Sequence, residues 1–149
     1  MEFTPYIHFN GSCREAVEFY AEAFGAGQPR FLTFGEGGGN PAFPIPEEAK
    51  KLIMHAEFTV GGKTLMFSDT FPGMPYEQGN HITIAVAPEA EETAERIFRK
   101  LSKGGKVEVE LSETDWSSCY GFLTDRFGIG WQINVLKGHK MGSENSRKE

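Results

Sequence analysis

The sequence has few cysteines, few basic residues and no long apolar run. Its two cysteines, Cys13 and Cys119, could form at most one bridge, so the fold cannot rest on a disulfide framework. Fifteen Lys and Arg against 21 Asp and Glu give a formal charge of −6. That balance argues against a nucleic-acid partner, because such binding relies on basic side chains that neutralise phosphates. No apolar segment reaches the roughly 20 residues that cross a bilayer, so we expect no membrane partner.

The N-terminal segment MEFTPYIHF also lacks the basic residues followed by an apolar stretch that mark a secretory signal. With 149 residues, the chain has the length of one ordinary domain. These observations together predict a cytoplasmic globular protein. We expect a single domain over residues 1–136 and a disordered polar tail over residues 137–149.

Two helical patterns stand among short runs of β-branched and aromatic residues. Ser12 and Glu15 match the S-x-x-E capping box, and apolar residues at helical spacing follow it as far as Gly25. A second helix is expected to open with Pro88 in its first turn, where a run of acidic residues suits the positive end of the helix dipole. The Gly61–Gly62 pair between two strand-like runs predicts a hairpin.

This order of strands and helices occurs twice. A shift of about 77 residues superposes Ile7 on Ile84 and Tyr20 on Ile97, without a gap. We therefore predict an α+β fold of two βαβββ modules, over residues 3–70 and 80–136. Each helix would cover one face of a small curved sheet, and the other faces would line a cup for a small molecule.

Strand alternation divides the residues of the first strand of each module between these two faces. It places Tyr6 and His8 on the face away from the helix, together with His81 in the second module. It places Ile82 on the face that the helix covers. Polar and titratable side chains are therefore expected to line the cup.

Five segments resemble one known family: Tyr6–Tyr20, Phe24–Gly25, His55–Glu57, Leu65–Asp69 and, above all, Glu113–Val135. Over nearly all of its length except the tail, the chain resembles the PhnB-like proteins of the glyoxalase/bleomycin-resistance/dioxygenase superfamily, also called the vicinal oxygen chelate superfamily. The resemblance implies two βαβββ modules that form a glyoxalase/bleomycin-resistance-like, cup-shaped barrel. It also implies a homodimer, in which modules pair within a chain or are swapped between chains.

The resemblance further implies one divalent metal, held by His, Gln and Glu ligands on the first and fourth strands of each module. The matching positions hold Thr4, Leu65 or Met66, His81, and Asn134 with Gln132 beside it. One imidazole and two amides do not make a catalytic zinc, iron or manganese site. We therefore expect the standard metal site to be lost and no cofactor to be present. A relocated site built from His8, His55, Glu57 and His81 stays open as the rival interpretation.

The candidate catalytic residues are His8 and His81. His8 could act as a general base, could hydrogen-bond a ligand, or could be satisfied by a backbone carbonyl. The candidate ligand-binding residues are Tyr6, Glu57, Ser68, Asp69, Trp116, Tyr120, Gln132 and Asn134. Asp69 could instead start a turn by accepting from its own backbone, and His55 with Glu57 could simply lie at a strand rim.

Three functions remain after these arguments. The first is a small-molecule-binding protein of the PhnB-like type without the standard metal site. The second is a lyase or isomerase that acts on a small polar metabolite, with a relocated metal or a histidine base. The third is an assembly role, in which the aromatic loops Phe71–Tyr76 and Trp116 form a partner surface.

Overall fold

A computed structural model describes residues 1–37, 42 and 44–137. The chain divides into two compact units, Met1–Glu77 and a second unit that begins at Gln78, and each contains one βαβββ module. The predicted α+β fold of two modules is confirmed. Of the tail predicted over residues 137–149, Lys137 alone is described: its ammonium group donates to the Glu113 carboxylate and to the carbonyl of Thr114. The rest of the tail lies outside the described residues.

The first unit is a four-stranded mixed sheet with one helix packed on it. Its elements are β1 (Tyr6–Phe9), α1 (Cys13–Phe24), β2 (Arg30–Thr33), a 3-10 helix (Glu47–Ala49), β3 (Ile53–Val60) and β4 (Lys63–Asp69). The strand order is β1-β4-β3-β2, with β1 parallel to β4 and the other pairs antiparallel. Gly61 and Gly62 have φ angles of 58° and 75°, which glycine adopts without strain, and they form the predicted β3–β4 hairpin turn.

The second unit repeats this topology. Its elements are β5 (Thr83–Val86), α2 (Glu91–Leu101), β6 (Lys106–Ser112), β7 (Ser117–Thr124) and β8 (Gly130–Leu136). The strand order is β5-β8-β7-β6, again with a single parallel pair, β5 with β8. The shift that superposes Ile7 on Ile84 is confirmed, because Ile7 faces Phe67 and Ile84 faces Trp131 at the same point of the two parallel pairs.

The expectation for Ile82 is wrong. Its side chain is 75% exposed, because β5 begins only at Thr83 and Ile82 lies before the first residue that pairs with β8. Strand alternation holds only where a strand is paired, so it gives no direction for a residue ahead of the strand. His81 also precedes β5, so strand alternation gives no direction for its side chain either. The residue is exposed.

The helix-covered face of each sheet forms the core of its unit. In the first unit the rings of Tyr20 and Phe67 stack at 5.8 Å, and Phe9 packs against both. In the second unit the buried apolar side chains include two aromatic ones, Phe98 and Trp131, and most of the others are aliphatic. Burying side chains of this size stabilises a fold by about 1.5–3 kcal/mol each. Neither helix of the described residues is long and apolar enough to span a bilayer.

The start of α1 is stabilised differently from the prediction. Ser12 is the N-cap residue, yet its side chain makes no capping hydrogen bond, so the capping box is wrong. The buried carboxylate of Asp69 takes this role. Its Oδ1 accepts from the backbone N–H of Gly11 at 2.9 Å and of Cys13 at 3.0 Å, while Oδ2 accepts from Ile53 at 2.9 Å. A carboxylate near a helix N-terminus is favoured by the dipole and accepts stronger hydrogen bonds than a hydroxyl.

Candidate functional site

The face of the first sheet that turns away from α1, here called its open face, carries polar side chains from all four strands. The register pairs Tyr6 with Met66, His8 with Ser68 and Glu57 with Arg30 across neighbouring strands. Tyr6 and His8 alternate with the buried Ile7 and Phe9, as predicted. The open face therefore brings together four of the predicted site residues, Tyr6, His8, Glu57 and Ser68.

The phenol of Tyr6 forms a hydrogen bond with the imidazole of His55. Its oxygen lies 2.8 Å from Nδ1 of His55, and the two rings meet edge to face. Partial burial raises the pKa of the Tyr6 phenol, against a smaller opposite influence of the Ser68 hydroxyl. Tyr6 therefore keeps its proton throughout the neutral pH range and remains a hydrogen-bond donor.

A second pair of the same chemistry lies beside the first. Nδ1 of His8 is 2.7 Å from the hydroxyl of Ser68, and the His8 ring stacks on Tyr6 with centroids 4.9 Å apart and an interplanar angle of 11°. The prediction left open whether a backbone carbonyl satisfies His8. The ring nitrogen instead bonds a side chain, which fixes the ring on the open face.

An ion pair completes this network. The guanidinium of Arg30 donates to the Glu57 carboxylate, whose other oxygen lies 3.8 Å from Nε2 of His55. The hydrogen bond from Arg30 lowers the pKa of Glu57, so this side chain is a carboxylate at neutral pH. Arg30 was missed by sequence reasoning, since only the cross-strand register between Arg30 and Glu57 reveals it.

The open face of the second sheet has different chemistry. The phenol of Tyr120 donates to Oε1 of Gln132 at 3.0 Å, and Nε2 of Gln132 donates to the hydroxyl of Thr83 at 3.1 Å. Asn134 faces Tyr120 across β7 and β8, and its buried Oδ1 has no hydrogen-bond partner among the described residues. This hydrogen-bonded chain consists of a phenol, a carboxamide and a hydroxyl, and it contains no imidazole.

Trp116 lies just before β7 and is 51% exposed. Its indole meets the ring of Tyr120 edge to face, with centroids 5.6 Å apart. The structure therefore groups the predicted residues Trp116, Tyr120 and Gln132 around one open face, with Asn134 in the adjacent register position.

Two predicted site residues lie away from these networks. Asp69 faces the helix side, where its two carboxylate oxygens accept from three backbone amides of other segments. These partners also differ from the local turn that was the alternative for Asp69. His81 is exposed and precedes β5, so it belongs to neither network of hydrogen bonds.

The two cysteines are buried free thiols. Burial, reinforced by the nearby charge of Asp69, raises the pKa of Cys13 to about 12. Burial also raises the pKa of Cys119, and the charges of Glu91 and Glu95 act in the same direction. Since the thiolate is the reactive form, neither cysteine is suited to be a nucleophile.

The family resemblance implied a divalent metal held by the first and fourth strands of each module. In the first unit the open-face side chains of these strands are Tyr6, His8, Met66 and Ser68, and in the second unit they are Thr83, Ala85, Gln132 and Asn134. Among them is a single imidazole, and no carboxylate. Within residues 1–37, 42 and 44–137, no group of three or more His, Cys, Asp or Glu side chains is arranged to hold a metal ion. These donors do not fit the metals that the fold commonly binds.

Comparisons with known proteins agree with this fold. Protein YjdN of Escherichia coli K12 is 31% identical over 143 residues, which cover 92% of this chain and 97% of YjdN. The crystal structure of PA1353 from Pseudomonas aeruginosa is 38% identical and aligns with a TM-score of 0.79, covering 91% of this chain and 98% of that one. A PhnB protein from Bacillus cereus is 25% identical with a TM-score of 0.70, covering 91% and 100%.

More distant structures show the fold alone. A glyoxalase/bleomycin resistance protein from Albidiferax ferrireducens is 16% identical, with a TM-score of 0.57 and coverage of 89% of this chain and 97% of that one. The family model described as 3-demethylubiquinone-9 3-methyltransferase matches residues 1–134, nearly the whole of the described sequence. With the glyoxalase/bleomycin-resistance fold, this match places the chain in the PhnB-like family that bears that description.

Proposed function

We propose that the protein binds a small polar molecule on the open face of its first sheet. The observation that carries this proposal is the pair of imidazole–hydroxyl hydrogen bonds, Tyr6 with His55 and His8 with Ser68, which lie side by side. Tyr6 is 43% exposed and His8 is also exposed, so a molecule in solution can reach both rings. Convergent polar groups with fixed rings are typical of small-molecule sites.

The packing of these side chains supports binding over a structural role. The core of the unit lies on the helix-covered side, where Ile7 and Phe9 are buried. The two imidazole–hydroxyl pairs lie on the opposite face, where Ser68 is buried and Tyr6 and His8 are exposed. The Tyr6–His55 hydrogen bond is exposed, and exposed polar pairs stabilise a fold only slightly. Their fixed geometry is therefore more useful for recognising a ligand than for holding the sheet together.

The proposal is tested by a thermal-shift screen with a defined panel of free amino acids, hydroxy acids, sugar phosphates and neutral sugars. At least one compound is expected to raise the melting temperature of the wild-type protein, because a ligand that binds the native state stabilises it. The same compound should lose its effect with Tyr6→Phe or His8→Gln. The matched control is Thr59→Val, whose hydroxyl pairs with Thr64 on the same sheet away from the two imidazoles. Retention of the full shift in both site variants would place the ligand elsewhere.

A second candidate function is favoured by the His8–Ser68 contact. When the Ser68 hydroxyl accepts from Nδ1 of His8, Nε2 carries a lone pair and can act as a general base. In an isomerase that acts on a hydroxy acid, Nε2 would take the proton from the carbon that bears the hydroxyl, and the electron pair of the broken C–H bond would move onto the carboxylate to give an enediolate. A proton that has exchanged with solvent would then return to the same carbon as the carboxylate re-forms. Incubation of the hydroxy acids in D₂O should then incorporate deuterium with the wild type but not with His8→Ala. Equal incorporation by both proteins would exclude His8 as the base.

We do not extend the methyl transfer in the family description to this chain. A nucleotide-like methyl donor is typically bound at a glycine-rich turn after a parallel strand. The β1–α1 turn contains one glycine, Gly11, and its backbone N–H donates to Asp69.

The expectations of a homodimer and of a cytoplasmic location stay proposals. Size-exclusion chromatography with light scattering should give twice the chain mass of 16.6 kDa.

A further inference from the structure

We infer that the open face of the first sheet binds its ligand as an oxyanion, and that His55 takes up a proton as the oxyanion binds. This inference rests on the proposed small-molecule site and assigns it a ligand class. It also gives a role to His55, which the sequence placed either at a strand rim or in a relocated metal site. The geometry that carries it is the chain Tyr6–His55–Glu57–Arg30.

The hydrogen bond between Tyr6 and His55 can run in two directions. With neutral His55, the Tyr6 hydroxyl donates to Nδ1 over 2.8 Å, and the ring hydrogen lies on Nε2 towards Glu57. When a proton adds to Nδ1, that nitrogen becomes the donor and the Tyr6 oxygen the acceptor. The phenol hydrogen is then released for a ligand, and Tyr6 donates to the oxyanion.

Glu57 stabilises the protonated state. Its carboxylate lies 3.8 Å from Nε2 of His55, so the imidazolium has a negative partner on its own strand. Arg30 holds the same carboxylate, and the charges of Arg30 and Glu57 cancel. The proton on His55 therefore gives the face a net positive charge, which an oxyanion neutralises.

A second donor lies beside Tyr6. The His8 ring stacks on Tyr6 at 4.9 Å, and when Ser68 donates to its Nδ1, the hydrogen of His8 lies on Nε2 and can reach a ligand. Two adjacent donors suit two oxygens of a carboxylate, sulfate or phosphate group.

Within the described residues, the charged side chains that ion pairs place beside His55 are Glu57 and Arg30, whose charges cancel. Titratable side chains come from β1, as Tyr6 and His8, from β2, as Arg30, and from β3, as Glu57. The neighbouring strand β4 contributes the uncharged Ser68 and Met66. His55 is also 34% exposed, so it exchanges protons freely with solvent.

The experiment uses sulfate and formate as probes, at constant ionic strength set with sodium chloride. Both probes keep a constant charge between pH 6 and 8, so any pH dependence of binding comes from the protein. Amide chemical-shift titrations with the full chain give the dissociation constants. We expect the sulfate affinity to fall about tenfold or more from pH 6 to pH 8, because binding and proton uptake are linked. Formate distinguishes a planar carboxylate site from a tetrahedral one.

Three variants test whether His55 is the group that takes up the proton when the oxyanion binds. His55→Gln keeps a hydrogen-bonding side chain but cannot be protonated, so its sulfate affinity should be weak and independent of pH. Tyr6→Phe removes the donor and should weaken binding at pH 6 at least fivefold. Thr59→Val, on the same sheet, should behave as the wild type. Circular dichroism verifies that each variant is folded.

The outcomes separate this inference from the proposed function. Sulfate affinity that is the same at pH 6 and pH 8 overturns the proton uptake, and binding of neutral sugars without sulfate or formate overturns the oxyanion class. In both cases the small-molecule site stands. A pH dependence that survives in His55→Gln and disappears in His8→Gln assigns the proton to His8 and overturns the role of His55. Absence of binding by sulfate, formate and every compound of the panel overturns the proposed function itself.

Discussion

The two units have the same topology, with the core of each on the helix-covered face of its sheet, but their open faces differ in chemistry. Tyr6 and His8 of β1 correspond in register to Thr83 and Ala85 of β5, and Ser68 of β4 corresponds to Gln132 of β8. The first face thus has two imidazoles that are hydrogen-bonded to hydroxyls, beside the Arg30–Glu57 ion pair. The second face has a chain of hydroxyls and amides, and its ion pair, Lys106–Glu108, contacts Thr124 instead of an imidazole. The repeated fold therefore specifies the core, whereas each open face is free to acquire its own chemistry.

The largest expected difference between the two units is in the reactivity of their buried cysteine thiols. Each unit has one, and a pKa of about 12 for Cys13, against an ordinary value near 9, reduces its thiolate fraction at pH 8 about a thousandfold. Iodoacetamide labelling of the native protein, followed by mass spectrometry, should modify Cys119 before Cys13. Unfolding in urea should make the two rates equal. Faster native labelling of Cys13 would contradict the assigned environment.

The second prediction concerns the buried carboxylates of Asp69 and Asp125, one in each unit, whose hydrogen bonds stabilise the fold of that unit. Asp69 accepts from three backbone amides, and Asp125 accepts from the amides of Phe127 and Ile129 and from the indole N–H of Trp131. Substitution of either by alanine leaves buried donors without a partner, at a cost of about 3 kcal/mol or more, roughly a hundredfold in the folding equilibrium.

Urea denaturation measures both costs, and Asp115→Ala, at an exposed position, is the control expected within about 0.5 kcal/mol of the wild type. A cost for Asp69→Ala no greater than that of the control would mean that the carboxylate does not stabilise the start of α1.

The tyrosines of the two open faces provide the third comparison. Tyr120→Phe removes a hydrogen bond to Gln132 and should cost about 1 kcal/mol, roughly fivefold in the folding equilibrium, at every pH from 5 to 8. Tyr6→Phe removes the bond to His55, so its cost should change over this range, in which histidine changes charge. Thermal denaturation at several pH values tests this contrast. Equal pH profiles for the two variants would remove the distinction between the faces.

The smallest effect on stability is expected for the ion pairs Arg30–Glu57 and Lys137–Glu113. Arg30 lowers the pKa of Glu57 in the first unit, and Lys137 lowers the pKa of Glu113 in the second, each below an ordinary value near 4.5. A lowered pKa in the folded state contributes stability above about pH 4.5, and that contribution is lost as the pH falls through the lowered value. Because Arg30 and Lys137 are exposed, the contribution is small and is screened by salt.

Carboxyl NMR titrations check these two ion pairs independently. Arg30→Ala should return the pKa of Glu57 towards its ordinary value without affecting Glu113, and Lys137→Ala should do the reverse. A Glu57 titration that Arg30→Ala leaves unchanged would assign the lowered pKa to another group.

Sequence patterns predicted the fold well because alternation and helical spacing are local signals. The superposition of Ile7 on Ile84 identified both modules, and alternation placed Tyr6 and His8 on the open face. The same signal failed for Ile82, since the start of a strand depends on where its partner begins to pair. Local patterns cannot provide that information.

The candidate site was predictable only in part, since its contacts join residues that are distant along the chain. The sequence marked His55 as a candidate residue, but its hydrogen bond to Tyr6 depends on the order of β1, β4 and β3 in the sheet, which no local pattern predicts. Arg30 gave no signal at all, because its partner Glu57 lies on the neighbouring strand. The capping box at Ser12 was misleading, since Asp69, a distant residue, provides a better acceptor.

Ser68 and Asp69 are adjacent residues of β4 whose side chains point to opposite faces of the sheet. Ser68 belongs to the hydrogen-bond network of the open face, and Asp69 accepts from backbone amides at the start of α1. Residues needed for folding and residues available for ligands thus alternate along a single strand. Mutations at the open-face positions can accumulate during evolution with little loss of folded protein. Such a scaffold can diversify its ligands by substitutions at every second position, without first acquiring compensating changes in its core.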